Sequence, residues 1–191
     1  MEVSQVPDAI ITKRALAETL KKLLETKSFE KIAVVDICSS LGINRKSFYY
    51  HFKDKYDLVN WIFDYEFLSG VREKETKNGT YDCWVFIKDI CKYFYDNKNY
   101  YNIIFKVRCQ NCFLDYFMEV FNPYVEKYLK YQFEEDVNHQ EFYATFFTDA
   151  FLLAMIRWLK NRPEITPEQF VELFKRAVVQ VSKKYYQELK P

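Results

Sequence analysis

The chain has 191 residues, 49% hydrophobic and 19% aromatic, yet only three glycines and five prolines. So few turn residues argue against a barrel or sandwich of short strands and for long helices. The length suits one domain, or a small domain joined to a larger one, with a substantial core. A formal net charge of +1 excludes a chain that is polybasic throughout, although residues 9–55 hold ten Lys and Arg against five Asp and Glu. The result is a basic head on a near-neutral body.

Residues 1–9 read as a loose arm. The first helix is predicted from Thr12, as its cap, to about Lys27, because Leu16, Leu20, Leu23 and Leu24 recur at helical spacing. Lys13 and Arg14 then lie in its first turn, where the helix dipole opposes positive charge. Phe29 and Ile32 fall in a short connector and plug the core. Val34, Ile37, Cys38 and Leu41 give the i, i+3, i+4, i+7 pattern of a second helix over Val34–Leu41. Gly42 follows at once and supplies the left-handed conformation that ends a helix and turns the chain. Asn44 caps a third helix running to about Phe52, with Phe48 and Phe52 facing the core. A short helix, a glycine turn and another short helix make a helix-turn-helix pattern.

Residues 44–55 are the most informative stretch. Arg45 and Lys46 occupy the first turn of the third helix, where a segment built only for stability carries Asp or Glu. Tyr49, Tyr50, His51, Lys53 and Lys55 follow within nine residues. This composition suits an anionic polymer, and the phosphate backbone of duplex DNA is the obvious one. Arg is also the side chain best matched to a guanine edge in the major groove. His51 has no Ser, Cys or carboxylate partner at a telling spacing, so catalysis is not expected.

A fourth helix is predicted from near Asp54 to about Thr76, with Leu58, Ile62 and Tyr65 as its apolar stripe. Residues 77–80 make the clearest break in the chain. The remainder reads as helical throughout. A fifth helix covers about 81–97 and a sixth about 100–108. A seventh starts near Asn111, with Pro123 kinking or restarting it and Asn122 available as a cap. An eighth covers about 140–161. The ninth opens with Thr166 as cap, Pro167 at its first position and Gln169 completing a capping box. The fold class expected is therefore all-α, with about nine helices.

The residues from Ile37 to Leu41, Gly42-Ile43, and then Ser47-Phe48-Tyr49-Tyr50-His51-Phe52-Lys53-Asp54-Lys55-Tyr56-Asp57-Leu58 resemble the N-terminal module of TetR/AcrR-family transcriptional regulators. The continuation through Leu58-Val59-Asn60-Trp61-Ile62-Phe63 looks most like the dihydroxyacetone-kinase-regulator-like branch. The resemblance implies a homodimer on a palindromic operator, the third helix of each module lying in the major groove. It implies that Tyr49, Tyr50, His51 and Lys55 contact phosphates, and that Arg45, Lys46 and Ser47 begin the base-reading face. With Lys13 and Arg14 these form the expected DNA-binding set. One departure stands out: Ala33 occupies a position where the family often has a capping, phosphate-touching Thr or Ser, and Asp36 is expected to compensate in part through the dipole. The organisation expected is a helix-turn-helix domain over 9–55, a connecting helix over 56–76, and an effector-binding and dimerisation domain over 77–191.

Two features of the C-terminal part bear on that last domain. Aromatics are concentrated after residue 80, and rings leave gaps between helices more readily than aliphatic chains. Trp84, Tyr93, Phe94, Phe105, Phe113, Phe117, Phe147, Phe151 and Met155 are therefore candidates to line an effector pocket, against the plain alternative that they fill the core. The eighth helix is apolar on more than one face and so needs partners on more than one side. This singles out Phe146, Ala150, Leu153 and Trp158, with Phe170, Phe174, Val178 and Val181 of the ninth helix, for a dimer interface. Asp149 lies within that stretch as pocket group, interface contact or exposed residue.

Cys109-Gln110-Asn111-Cys112 is a C-x-x-C, but no second pair exists and His139 is the only other histidine, so neither a metal site nor a cofactor is expected, a thiol-sensing role being the lesser alternative. The five cysteines are read as buried reduced thiols of a cytoplasmic protein. Met1–Pro7 has no apolar run of a signal peptide, and Ala150–Ile156, the best apolar stretch, stops at Arg157. No membrane association is expected. The function expected is a DNA-binding repressor that loses its operator when a small molecule binds the C-terminal domain. The alternatives are a regulator answering to a protein partner and, remotely, a helical enzyme using the aromatic pocket.

Overall fold

A computed structural model describes residues 8–78, 82–107, 112–132, 140–162 and 164–188 of the chain. No strand occurs among them. The helices are α1 (Asp8–Leu24), α2 (Val34–Leu41), α3 (Arg45–His51), α4 (Lys55–Phe63), α5 (Ser69–Asn78), α6 (Cys83–Asp96), α7 (Lys98–Ile104), α8 (Phe113–Gln132), α9 (Gln140–Asn161) and α10 (Pro167–Glu188). A 3₁₀ turn at Phe29–Lys31 sits between α1 and α2. A π turn at Asp64–Leu68 joins α4 to α5 without a break, so nine separate helices stand among the described residues, as the all-α reading anticipates.

The chain divides into two compact units. One takes in the chain to Arg72 and then Asn99–Tyr116; the other takes in Glu73–Lys98 and then Phe117 onwards. The expected organisation joined residues 99–116 to the C-terminal domain.

In the first unit α1 packs on α2, α3 and α4. Leu16, Leu20, Phe29, Ile32, Ile37, Phe48, Leu58 and Phe63 are almost fully buried there. The core is the one written in the periodicity of the first four helices. The later stretch adds Tyr101, Phe105 and Phe113, whose rings lie 5.4–5.9 Å apart, Phe113 meeting Phe63 edge-on at 5.4 Å. Two of the rings proposed for an effector pocket, Phe105 and Phe113, are thus core residues of the first unit.

In the second unit α6 packs on α9 and α10. Phe86, Phe94, Phe117, Phe121 and Phe151 are buried and meet ring to ring, Phe121 on Phe151 at 4.8 Å and Phe94 on Phe117 at 5.7 Å. Trp158 stacks between Tyr95 at 5.6 Å and Phe170 at 4.4 Å, and its Nε1 donates to the Ile165 carbonyl at 2.9 Å. That bond closes the α9–α10 turn.

Several local expectations need correction. α1 begins at Asp8, whose carboxylate suits the first turn. Thr12 is not its cap; its hydroxyl donates back to the Asp8 carbonyl at 3.1 Å. α8 runs through Pro123 without restarting, and Asn122 caps nothing. α6 is capped by Asp82, which accepts from Trp84 N at 2.9 Å and Val85 N at 3.1 Å. α9 spans the expected Gln140–Asn161 but is more apolar than expected, with a stretch at Glu141–Asn161 able by length and composition to cross a membrane. Its Ala144, Thr148, Phe151, Leu152, Met155 and Leu159 are buried in the second unit, as befits a core helix. The start of α10 is as read: Thr166 N donates to Gln169 Oε1 at 2.9 Å and Gln169 N to Thr166 Oγ1 at 3.3 Å.

Candidate nucleic-acid interface

Gly42 has φ +68° and ends α2 in the left-handed conformation. Its N–H donates to Ser39 O at 3.2 Å, and Ile43 N–H to Cys38 O at 3.0 Å, so the last carbonyls of α2 are satisfied as the chain turns. Two residues later Asn44 Oδ1 accepts from Lys46 N at 2.9 Å and opens α3. α2 itself starts at Ala33, which has no capping side chain. Asp36 supplies the missing partner by reaching back, its Oδ2 accepting from Ala33 N at 2.8 Å, with Lys27 Nζ 3.5 Å from Oδ1. The Ala33 hydrogen bond, more than the nearby Lys27 charge, holds the Asp36 carboxyl below the usual carboxylate range.

Phe48 is fully buried and orients α3. Lys46 and Tyr50 lie on the opposite face and Arg45 and Tyr49 on its flank, all four exposed, with Tyr50 83% accessible. The Arg45 guanidinium lies 6.0 Å from the Tyr49 ring centroid, within cation–π range. Lys46, Ser47, Tyr50 and His51 line a surface groove of about 420 Å³ together with Thr12 and Ile43. Part burial, and then the Lys13 charge, lower the His51 pKa from its ordinary 6.5, which leaves the imidazole neutral at pH 7. Lys13 sits in the second turn of α1, its ammonium 5.3 Å from the Phe52 centroid and 5.7 Å from that of Trp61. Arg14 is exposed beside it. Among the described residues no ion pair involves Lys13, Arg14, Arg45 or Lys46.

Lys55 departs from the expected set. The residue is half-buried and its ammonium is turned to backbone carbonyls. It donates to the carbonyls of Phe29 at 2.7 Å, Ile32 at 2.8 Å and Glu30 at 3.3 Å, and lies 4.5 Å from the Phe29 ring centroid. A lysine ammonium has three donors, and three carbonyls meet them. The resemblance implies a phosphate contact for the same ammonium when duplex is bound. No local pattern marks this arrangement, since the carbonyls belong to a connector more than twenty residues away.

In the second unit the remaining pocket candidates fall into two groups. Phe94, Phe117, Phe151 and Met155 are buried, whereas Trp84, Tyr93 and Phe147 are half-buried. The interface candidates divide as well. Phe146 and Leu153 are half or more exposed and share a stripe of α9 with exposed Phe142, Asp149 and Arg157 and half-buried Ala150. Trp158 and Phe170 are buried in the unit, and Phe174 rests on Phe151 at 5.4 Å. These three rings serve the core, which is why α9 reads as apolar on several faces. Val178 is half-buried, and the Val181 side chain lies outside the described residues. Cys112 is buried and Cys109 lies outside the described residues. Burial pushes the Cys83 thiol up to about 12 and raises that of Cys91 further, so neither is poised for thiolate chemistry.

Comparison with known proteins agrees with this geometry. Residues 16–62 match the family model described as bacterial regulatory proteins, tetR family, and residues 84–180 match one described as transcriptional regulator C-terminal region. The HTH-type dhaKLM operon transcriptional activator DhaS of Lactococcus lactis subsp. lactis (strain IL1403) is 28% identical over 100 residues, 52% of this chain. The match spans about half of that relative's length, 51%. A solved structure named dihydroxyacetone kinase operon activator DhaS shares the fold, with a TM-score of 0.60 and 22% identity over 90% of this chain and 98% of that one. With one family model over the helix-turn-helix and another over residues 84–180, about half of the whole chain, the protein belongs to the tetR family of bacterial regulators.

Proposed function

We propose that the chain acts as a homodimer that reads a palindromic duplex operator through α3, with an effector on the second unit setting its affinity. The observation that carries this reading is the exposure of Arg45, Lys46, Tyr49 and Tyr50 on α3 while Phe48 is buried. Arg45 has the reach and the planar fork for a guanine edge. Lys46, Ser47, Tyr50 and His51 border a groove of a size and chemistry for a phosphate, and Lys13 and Arg14 flank it from α1. Selection of bound fragments from random duplex DNA by the purified chain tests the reading. A palindrome with half-sites one helical turn or a multiple apart is expected. Recovery of no duplex, or of an asymmetric site, would sink it. Arg45→Ala is expected to relax preference at one base pair per half-site, by about 1–3 kcal/mol of lost discrimination. Uniform weakening on every sequence would move Arg45 to the backbone.

For the effector, the reading is a small molecule among the rings of the second unit, with Trp84, Tyr93 and Phe147 the half-buried members. One observation favours a protein partner instead. Phe94, Phe117, Phe121 and Phe151 fill the interior against one another. The expectation of a repressor has no support of its own here, and the named relative is an activator. Whether binding blocks or recruits polymerase depends on where the operator lies. The promoter of a dihydroxyacetone kinase operon is the natural first duplex to try, because relative and solved structure are both named for one.

A further inference from the structure

A serine or threonine inside a helix can satisfy its hydroxyl on the carbonyl four residues back. Four here do so: Thr12 on Asp8 at 3.1 Å, Thr19 on Ala15 at 2.8 Å, Ser40 on Asp36 at 2.9 Å and Ser69 on Tyr65 at 2.7 Å. Thr148, in the middle of α9, is more deeply buried than any of them, at 0% exposure. Its Oγ1 makes no such bond and has no hydrogen-bond partner among the described residues. Among those residues it is the one buried polar side chain of the second unit. Asn122 of α8 is half-buried, and its side-chain oxygen is likewise out of reach of solvent and without a partner there. Asn122 follows Phe121, Thr148 lies three residues before Phe151, and those two rings stack at 4.8 Å. The two orphaned groups therefore flank one contact between α8 and α9.

Their chemistry states what would satisfy them. Asn122 Oδ1 only accepts, so an occupant must donate to it, whereas Thr148 Oγ1 can donate or accept. The other buried side chains of the unit are apolar, and the Cys83 and Cys91 thiols are kept neutral by burial. An ion would meet no counter-charge, and a purely apolar molecule would leave both groups unpaired. Phe94, Phe117, Phe121 and Phe151 pack ring to ring, which restricts an occupant to few atoms. We propose that Thr148 and Asn122 form the polar end of a binding site for a small uncharged hydroxy compound, one hydroxyl donating to Asn122 and a second oxygen meeting Thr148. As the anchor of an effector, the site rests on the small-molecule reading of the second unit.

The test follows the Met118 and Met155 methyl resonances of the full chain, four residues before Asn122 and seven after Thr148. Ethylene glycol, hydroxyacetone and glycerol are the probes, each titrated to about 100 mM, where even weak affinity registers. Acetone, which cannot donate, and lactate, which is charged, are the controls. At least one hydroxy probe is expected to shift these methyls saturably, with both controls about tenfold weaker or more. Thr148→Val and Asn122→Leu are each expected to weaken that probe about tenfold, and Thr148→Ser, which keeps the hydroxyl, to hold it within about threefold. Without ligand, Thr148→Val should melt above the wild type, because it removes an unpaired buried hydroxyl. A lower melting point would show the hydroxyl already satisfied within the fold, by a bound water included, and would overturn the proposal. So would no saturable shift from any hydroxy probe, equal binding of acetone, or undiminished binding in both Thr148→Val and Asn122→Leu. Should Thr148→Val not fold, Asn122→Leu carries the same comparison. A probe that binds in this way yet leaves operator affinity unaltered would uphold the site and remove its effector role. A molecule that alters operator affinity and binds Thr148→Val and Asn122→Leu as tightly as wild type would uphold the effector reading and sink this site.

Discussion

On the proposed reading of α3, His51 is the residue at which DNA binding would meet pH. In the free protein its pKa lies below 6.5, from burial and then from Lys13. A phosphate in the adjoining groove favours the imidazolium, so the complex holds a proton that the free protein lacks. By linkage, affinity then rises as pH falls from 7.5 to 5.5, by up to about tenfold for each unit by which the phosphate raises the pKa. Titrating operator at several pH values should show the rise, and His51→Gln should flatten it. An equal slope in both proteins would remove His51 from the contact. At this scale the sequence is readable where the partner is close in the chain. Asn44 over Lys46, Gly42 after α2 and the Thr166–Gln169 box are interactions within three residues, and their residue types betray them. Lys55 and Thr12 each have a partner that residue type alone does not betray. A lysine at a helix start and a threonine before an apolar run each have an ordinary meaning, and only the tertiary path of Phe29–Ile32 and the earlier start of α1 reveal those partners.

Among the elements, the helix from Lys55 to Asn78 is the one whose apolar stripe conceals most. Leu58 and Ile62 are buried as expected, but Tyr65 is 37% exposed because a π turn intervenes. Ser69 N–H reaches the Asp64 carbonyl, one residue further back than α geometry allows. Asp64 accepts from the Tyr116 hydroxyl and lies near Arg72, and Glu66 receives Lys21 of α1 at 2.5 Å. Periodicity does not announce such a turn, since a single extra residue blurs a stripe without erasing it. Deletion of Tyr65 should close the turn to regular α geometry and leave both flanks facing as before. Its cost is the Trp61–Tyr65 stack, about 0.5–1.5 kcal/mol. Thermal melts should therefore move by less than about 5 °C. Deletion of Val59, in the regular part, turns every following side chain by about 100° and should abolish the cooperative transition. Equal damage from both deletions would show that the turn is not a one-residue insertion.

At the level of the whole molecule, self-association depends on what covers the α9 stripe. Leu153 is 50% exposed, and four residues to either side stand Asp149 and Arg157, both exposed and without an ion pair among the described residues. Two copies of α9 crossing antiparallel about Leu153 bring Asp149 of each opposite Arg157 of the other, twice by symmetry. Sedimentation of the wild-type chain is expected to show a dimer. Asp149→Arg and Arg157→Asp should each weaken it, by roughly 1 kcal/mol or more per lost pair, and the double exchange should recover most of the loss. A double variant no better than the singles would place the two charges apart. The helical class and the helix-turn-helix were legible throughout, because composition and period determine them. The membership of residues 99–116 in the first unit was not, since no turn signal separates what the core of Tyr101, Phe105 and Phe113 draws together.

The placing of the three indoles has a practical result. Trp61 stacks on Tyr65 at 4.8 Å in the first unit, whereas Trp84 and Trp158 belong to the second. Each unit thus contains its own natural fluorophore, in distinct surroundings. A protein keeping Trp61 alone and another keeping Trp158 alone, with phenylalanine at the other positions, would glow from one half each. Their emission during denaturation would reveal, without any attached dye, whether the two units come apart in one step or two.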